Sequence, residues 1–85
     1  MSPEQVKALI EAGLPNAEVA VAGGGGHYQL RVVSEEFSGL MTVKRQQKIY
    51  SFLNEHIARG DLHAVDEMKL YTPEEWHKAS RLGLA

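Results

Sequence analysis

The stretch that decides the fold is Glu18-Val19-Ala20-Val21-Ala22-Gly23-Gly24-Gly25-Gly26-His27-Tyr28-Gln29-Leu30-Arg31-Val32-Val33-Ser34. Two short alternating runs flank a block of four glycines. From Glu18 to Ala22, Val19 and Val21 share one face and small alanines the other. From Tyr28 to Ser34, Tyr28, Leu30 and Val32 point one way while Gln29 and Arg31 point the other. Glycine supplies the positive backbone angles that a tight reversal between antiparallel strands needs, so Gly23 to Gly26 reads as the loop of a β-hairpin. A phosphate-cradling loop would be followed by a helix start, and here a strand follows.

Upstream of the hairpin lies a helix. Ser2 is placed as its N-cap, Pro3 at the first helical position and Gln5 where a capping box wants Glu or Gln. Val6, Leu9 and Ile10 repeat at helical spacing until Gly13. Downstream, Ser34 to Gly39 turns the chain, and Thr42 is placed to cap a long helix ending near Arg59, with Gly60 beyond it. Its apolar stripe reads as Val43, Tyr50, Leu53 and Ile57, with Ile49 at the edge and Gln46 near the centre. A third strand is read from Leu62, but its alternation breaks at Asp66-Glu67. A β-bulge there would let Val65 and Met68 share a face despite their odd spacing. Thr72-Pro73-Glu74-Glu75 is a second capping box opening a short helix with Trp76, and residues from about 79 to 85 read as a frayed tail. The order is α-β-β-α-β-α, an α/β (α+β) domain with a three-stranded sheet packed against helices. A right-handed crossover through the long helix is expected if the third strand runs parallel to its neighbour.

Composition bounds the chemistry. With 85 residues, 44% hydrophobic and 24% charged, the chain reads as one globular domain, too small for a deep enclosed pocket. No cysteine is present, which excludes disulfides, thiol catalysis and thiolate-held clusters built by this chain alone. A net charge of −2 argues against a generally basic surface, though not against a local patch. No apolar run approaches a membrane span and the N-terminus lacks a signal-peptide pattern, so a soluble cytoplasmic protein is expected.

Catalysis finds little support. The serines show no nucleophile-elbow context, and the acid pairs Glu35-Glu36 and Glu74-Glu75 read as turn solvation and helix-start charge. The four histidines, His27, His56, His63 and His77, are the good borderline metal ligands, yet none are paired at helical zinc spacing. His63 stands out at a strand entrance after a Gly-Asp turn, where the sheet can hold an imidazole with one nitrogen free. One or two imidazoles cannot hold a metal tightly, but they can complete a shell supplied by a partner. Lys44, Arg45 and Lys48, with Arg31 adding charge nearby, form the nucleic-acid candidate. No aromatics interleave with them as in an RNA-recognition sheet. In an RNA-binding KH module the Gly-x-x-Gly tetrad joins two helices; in this chain it joins two strands.

The run Phe37-Ser38-Gly39-Leu40-Met41-Thr42-Val43-Lys44-Arg45-Gln46-Gln47-Lys48-Ile49-Tyr50 closely resembles the BolA signature F-x-G-x-x-x-V-x-R-H-x-x-V-Y. Leu62-His63-Ala64-Val65 and Tyr71-Thr72-Pro73-Glu74-Glu75-Trp76 resemble the third strand and closing helix of the same family. Glutamine at Gln46, where BolA itself has histidine, is similar to the IbaG branch, associated with acid stress. The resemblance covers nearly the whole chain in order.

What it implies is a class II KH-like fold and a non-enzymatic partner of monothiol glutaredoxin. The two proteins would share a bridged [2Fe–2S] cluster, with glutaredoxin and glutathione supplying thiolates, for iron–sulfur assembly, trafficking or stress signalling. Alone, the chain would bind no cluster and be a monomer or weak homodimer. His63 matches the family's strand-entry histidine and takes the ligand role; His27 is the second ligand, although the family places that residue a few positions earlier, where this chain has glycines. The interval from His63 to Tyr71 is one residue longer than the family's, in keeping with a bulge. Imidazole in place of thiolate lowers the cluster's negative charge, raises its potential and makes ligation sensitive to protonation. The alternative that the resemblance carries is a DNA-binding transcriptional regulator of stress and morphology, using Lys44, Arg45 and Lys48.

Overall fold

The computed structural model describes residues 1–83. The elements are α1 (Pro3–Gly13), β1 (Glu18–Gly24), β2 (His27–Val33), a 3-10 turn (Glu35–Phe37), α2 (Thr42–Arg59), β3 (Ala64–Tyr71) and α3 (Pro73–Arg81). Among the described residues this is the expected α-β-β-α-β-α order, with three helices and a three-stranded sheet. The sheet is mixed, in the order β1-β2-β3: β1 runs antiparallel to β2, and β3 runs parallel to it. No helix among the described residues is long and apolar enough to cross a membrane.

Both capping boxes form. Ser2 Oγ accepts from the Gln5 amide while the Gln5 side chain accepts from the Ser2 amide, and Thr72 and Glu75 repeat the exchange at the start of α3. The hairpin is tighter than the sequence suggests. Gly24 pairs with His27, so β1 runs on through Gly23 and Gly24 and only Gly25 and Gly26 make the turn. Both have positive φ, 63° and 86°, the requirement of a two-residue turn whose twist matches that of its strands.

The core lies on one face of the sheet. Tyr28, Leu30 and Val32 of β2 meet Val6 and Ile10 of α1 and Ile49 and Leu53 of α2, with Leu14, Val19, Phe37 and Leu62 closing the cluster. Each large side chain buried fully contributes about 1.5–3 kcal/mol. The bulge is present: Tyr28 pairs with Val65, but Gln29 pairs with Glu67, leaving Asp66 without a partner on β2. Val65 and Met68 then lie opposite Tyr28 and Leu30 and pack against the core. In a regular ladder a one-residue slip would instead carry Glu67 and Lys69 to the buried face.

Four readings of the sequence are corrected. Thr42 is the first residue of α2, not its cap; Met41 occupies that position and makes no side-chain cap bond. The buried stripe of α2 centres on Ile49 and Leu53, with Gln46 half-buried, while Val43 is 60% exposed; in the first turn it is Arg45 that faces inward, toward Leu70 and Glu75. β3 begins at Ala64, since Leu62 is drawn into the core instead of extending the strand. α3 continues to Arg81, past Lys78 where fraying was expected; residues 84 and 85 of that expected tail lie outside the described residues.

Candidate metal-ligand site

The parallel pairing of β2 and β3 builds the site. His27 is the first residue of β2 and pairs with Ala64, the first of β3, so His63 arrives beside His27 although 36 positions separate them. The two imidazoles stack with centroids 6.2 Å apart and planes 24° from parallel. Both are exposed, at the end of the sheet where the hairpin turns.

The backbone beneath is firmly held. Gly26 is buried, and its carbonyl accepts from the amides of both His63 and Ala64 at 2.9 Å. A Cβ at position 26 would come within 2.3 Å of His63 Cδ2. The hairpin turn therefore does two things at Gly26: it reverses the chain and makes a flat seat for the His63 ring. His27 has a different neighbour. Its Nδ1 lies 3.3 Å from Oδ1 of Asp66, the bulged residue, and both side chains are about half exposed.

Among the described residues, no group of three or more His, Asp or Glu side chains could hold a metal ion. The donor chemistry that is present is two imidazoles side by side, suited to a borderline metal such as iron or zinc, with the remaining ligands to come from elsewhere. His56 is not part of this set. It sits on α2 with Nδ1 3.3 Å from Asp61 Oδ2, and Arg59 Nη2 lies 3.1 Å from the same oxygen. The hydrogen bond to His56, followed by the charge of Arg59, holds the Asp61 carboxyl below the usual carboxylate range. His77 lies exposed on α3.

The basic candidates are placed differently. Lys44 is exposed, and Lys48 Nζ lies 3.5 Å from Glu36 Oε1. Arg45 is turned inward, its side chain only 13% exposed. Its Nε donates to Leu40 O at 2.8 Å and its Nη1 to Leu70 O at 3.1 Å, while Nη1 and Nη2 fork onto both oxygens of Glu75 at 2.5 and 3.1 Å. That fork, with the Thr72 amide bond, holds the Glu75 carboxyl down at about 2. Arg31 lies 4.2 Å over the Trp76 ring and 3.5 Å from Glu18. Three of the four cations read as phosphate contacts, Arg31, Arg45 and Lys48, thus have partners within the fold. Sequence spacing put Arg45 beside Lys44 and Lys48; its partner Glu75, 30 positions away, carries no local signal.

Residues 2–75 match the BolA-like protein family. Acid stress protein IbaG of Escherichia coli K12 is 39% identical over 82 residues, 96% of this chain and 96% of that protein. An uncharacterized protein from the rpoN-murA intergenic region of Acinetobacter guillouiae is 46% identical over 83 residues, 98% of this chain and 99% of its own. A BolA homologue from Coxiella burnetii superposes with a TM-score of 0.80 at 31% identity, covering 91% of this chain and 97% of that one. The chain belongs to the BolA-like family. Its similarity to the acid stress protein extends essentially from end to end.

Proposed function

We propose that this protein is a non-enzymatic partner of a monothiol glutaredoxin and that it contributes His27 and His63 to a [2Fe–2S] cluster shared between the two. The observation that carries this reading is the pair of exposed imidazoles with centroids 6.2 Å apart, half a ligand set at an open end of the sheet. A cluster held there would supply an electron-accepting, exchangeable iron–sulfur unit, its thiolate ligands coming from glutaredoxin and glutathione. This chain's own share is to seat His63 on Gly26, to bring His27 alongside through the parallel register, and to leave both rings open to the partner.

The test is anaerobic reconstitution of the pure chain, alone and mixed with a monothiol glutaredoxin and glutathione, read by visible absorption and circular dichroism. A spectrum that arises only in the mixture and is altered by His63→Ala supports the shared ligation. A mixture indistinguishable from glutaredoxin alone, with no co-elution, overturns it. The nucleic-acid reading would then be taken up through Lys44→Glu with Lys48→Glu, which should weaken DNA binding and flatten its salt dependence.

A further inference from the structure

The extra residue of the β3 bulge is an acid, and it lies beside the site. His27 pairs with Ala64 and Tyr28 with Val65, after which the register skips Asp66 and resumes with Gln29 opposite Glu67. Asp66, released from the ladder, brings Oδ1 to 3.3 Å from His27 Nδ1. A neutral imidazole carries its proton on one nitrogen only, and the bond made by that nitrogen decides which one is left to bind a metal. With a carboxylate at Nδ1, the proton belongs on Nδ1 and the lone pair on Nε2. A second partner of this kind fixes ring orientation and raises the basicity of the ligating nitrogen in histidine metal sites generally.

From this arrangement we infer that Asp66 is a positioning residue for His27: it holds the ring in the Nδ1–H tautomer and presents Nε2 as the free donor. The inference rests on the proposed ligand role of His27 for its purpose, but not for its geometry. The two histidines then have different supports. His63 is seated by backbone and by the bare Cα of Gly26, whereas His27 is oriented by a side chain. The bulge keeps Val65 and Met68 inward, and its extra residue, Asp66, is the one that meets His27.

The experiment uses the full chain without partner or metal. At alkaline pH, where imidazole is neutral, long-range proton–nitrogen correlation spectra report which ring nitrogen of each histidine carries the proton. His27 should show a pyrrole-type Nδ1 in the wild type. In Asp66→Ala that nitrogen should move toward the pyridine type, and in Asp66→Asn, whose amide oxygen still accepts, it should stay close to wild type. His56 serves as the internal control and should not move. A wild-type His27 already protonated on Nε2, or an Asp66→Ala spectrum unchanged at His27, overturns the inference.

A second arm follows iron release from the mixed complex to a chelator. It should be about tenfold faster for Asp66→Ala, the lower end of what such outer partners are worth, and near wild type for Asp66→Asn. Equal release rates despite a shifted tautomer would also overturn the positioning role. A wild-type mixture that forms no shared cluster would instead overturn the proposed function, while the tautomer result would still decide whether Asp66 sets His27.

Discussion

The two ends of the β2–β3 pair are built from similar residue types and put to opposite uses. At the Val33–Tyr71 end, polar side chains are spent on one another. The Ser34 amide donates to Tyr71 O at 2.9 Å, Arg45 caps the carbonyls of Leu40 and Leu70, and Glu75 answers both Arg45 and the Thr72 amide. At the His27–Ala64 end, the backbone is equally tied through Gly26, yet the side chains stand in solvent with one 3.3 Å contact between them. The lesson is that a cluster of ionisable residues marks a site only where its bonding capacity is left open. Arg45 reads as a ligand-binding cation in the sequence and is saturated in the fold; His63 reads as a strand-entry residue and is open.

This contrast can be broken from either side. The largest effect is expected at the saturated end. Arg45→Ala strips two carbonyls and Glu75 of their donor and should cost about 2–3 kcal/mol in urea denaturation, the scale of hydrogen bonds to a charged group. At the open end, Gly26→Ala meets both a positive φ and the His63 ring, and should cost about 1–2 kcal/mol while shifting the His63 ring resonances. Glu75→Gln sharpens the comparison further. Glutamine can keep the capping box, so the change removes the charge alone and should cost less than about 1 kcal/mol at this partly exposed position.

The Glu75 pair also sets a pH dependence. Its carboxyl is lowered from 4.5 to about 2, so the stabilisation it supplies is fully present above pH 4.5 and is lost as the pH falls from there toward 2. Denaturation midpoints measured across that window should slope less steeply in Glu75→Gln than in the wild type. The smallest effect on stability belongs to His63→Ala. Its exposed ring should be removable within about 0.5 kcal/mol, leaving the fold while deleting a proposed ligand. A large loss of stability there would mean that the ring is part of the structure after all.

Much of this was legible in the sequence because it is written in short-range terms. The capping boxes at Ser2–Gln5 and Thr72–Glu75, the glycine reversal and the alternation of Tyr28, Leu30 and Val32 all have local physical causes. Even the bulge was visible, since two consecutive acids between Val65 and Met68 cannot fit a period of two. What escaped depends on distant neighbours. Val43 is exposed because the buried stripe is centred on Ile49 and Leu53, a centre set by what packs on the helix. The capture of Arg45 depends on α3. The adjacency of His27 and His63 was implied by the family resemblance, not by local spacing; the parallel register is what makes them neighbours. The contact between His27 and Asp66 left a trace in the sequence only as a break in alternation.

The same break bears on how the molecule meets copies of itself. β3 is an outer strand of the sheet, with a row of backbone groups facing away from β2. An open edge of this kind is a template on which another chain's strand can grow. At Asp66 the insertion interrupts the even spacing that such growth requires, and exposed Asp66, Glu67 and Lys69 crowd the middle of the strand with charge. A residue left over from the ladder thus makes this edge of the sheet a poorer template for another strand.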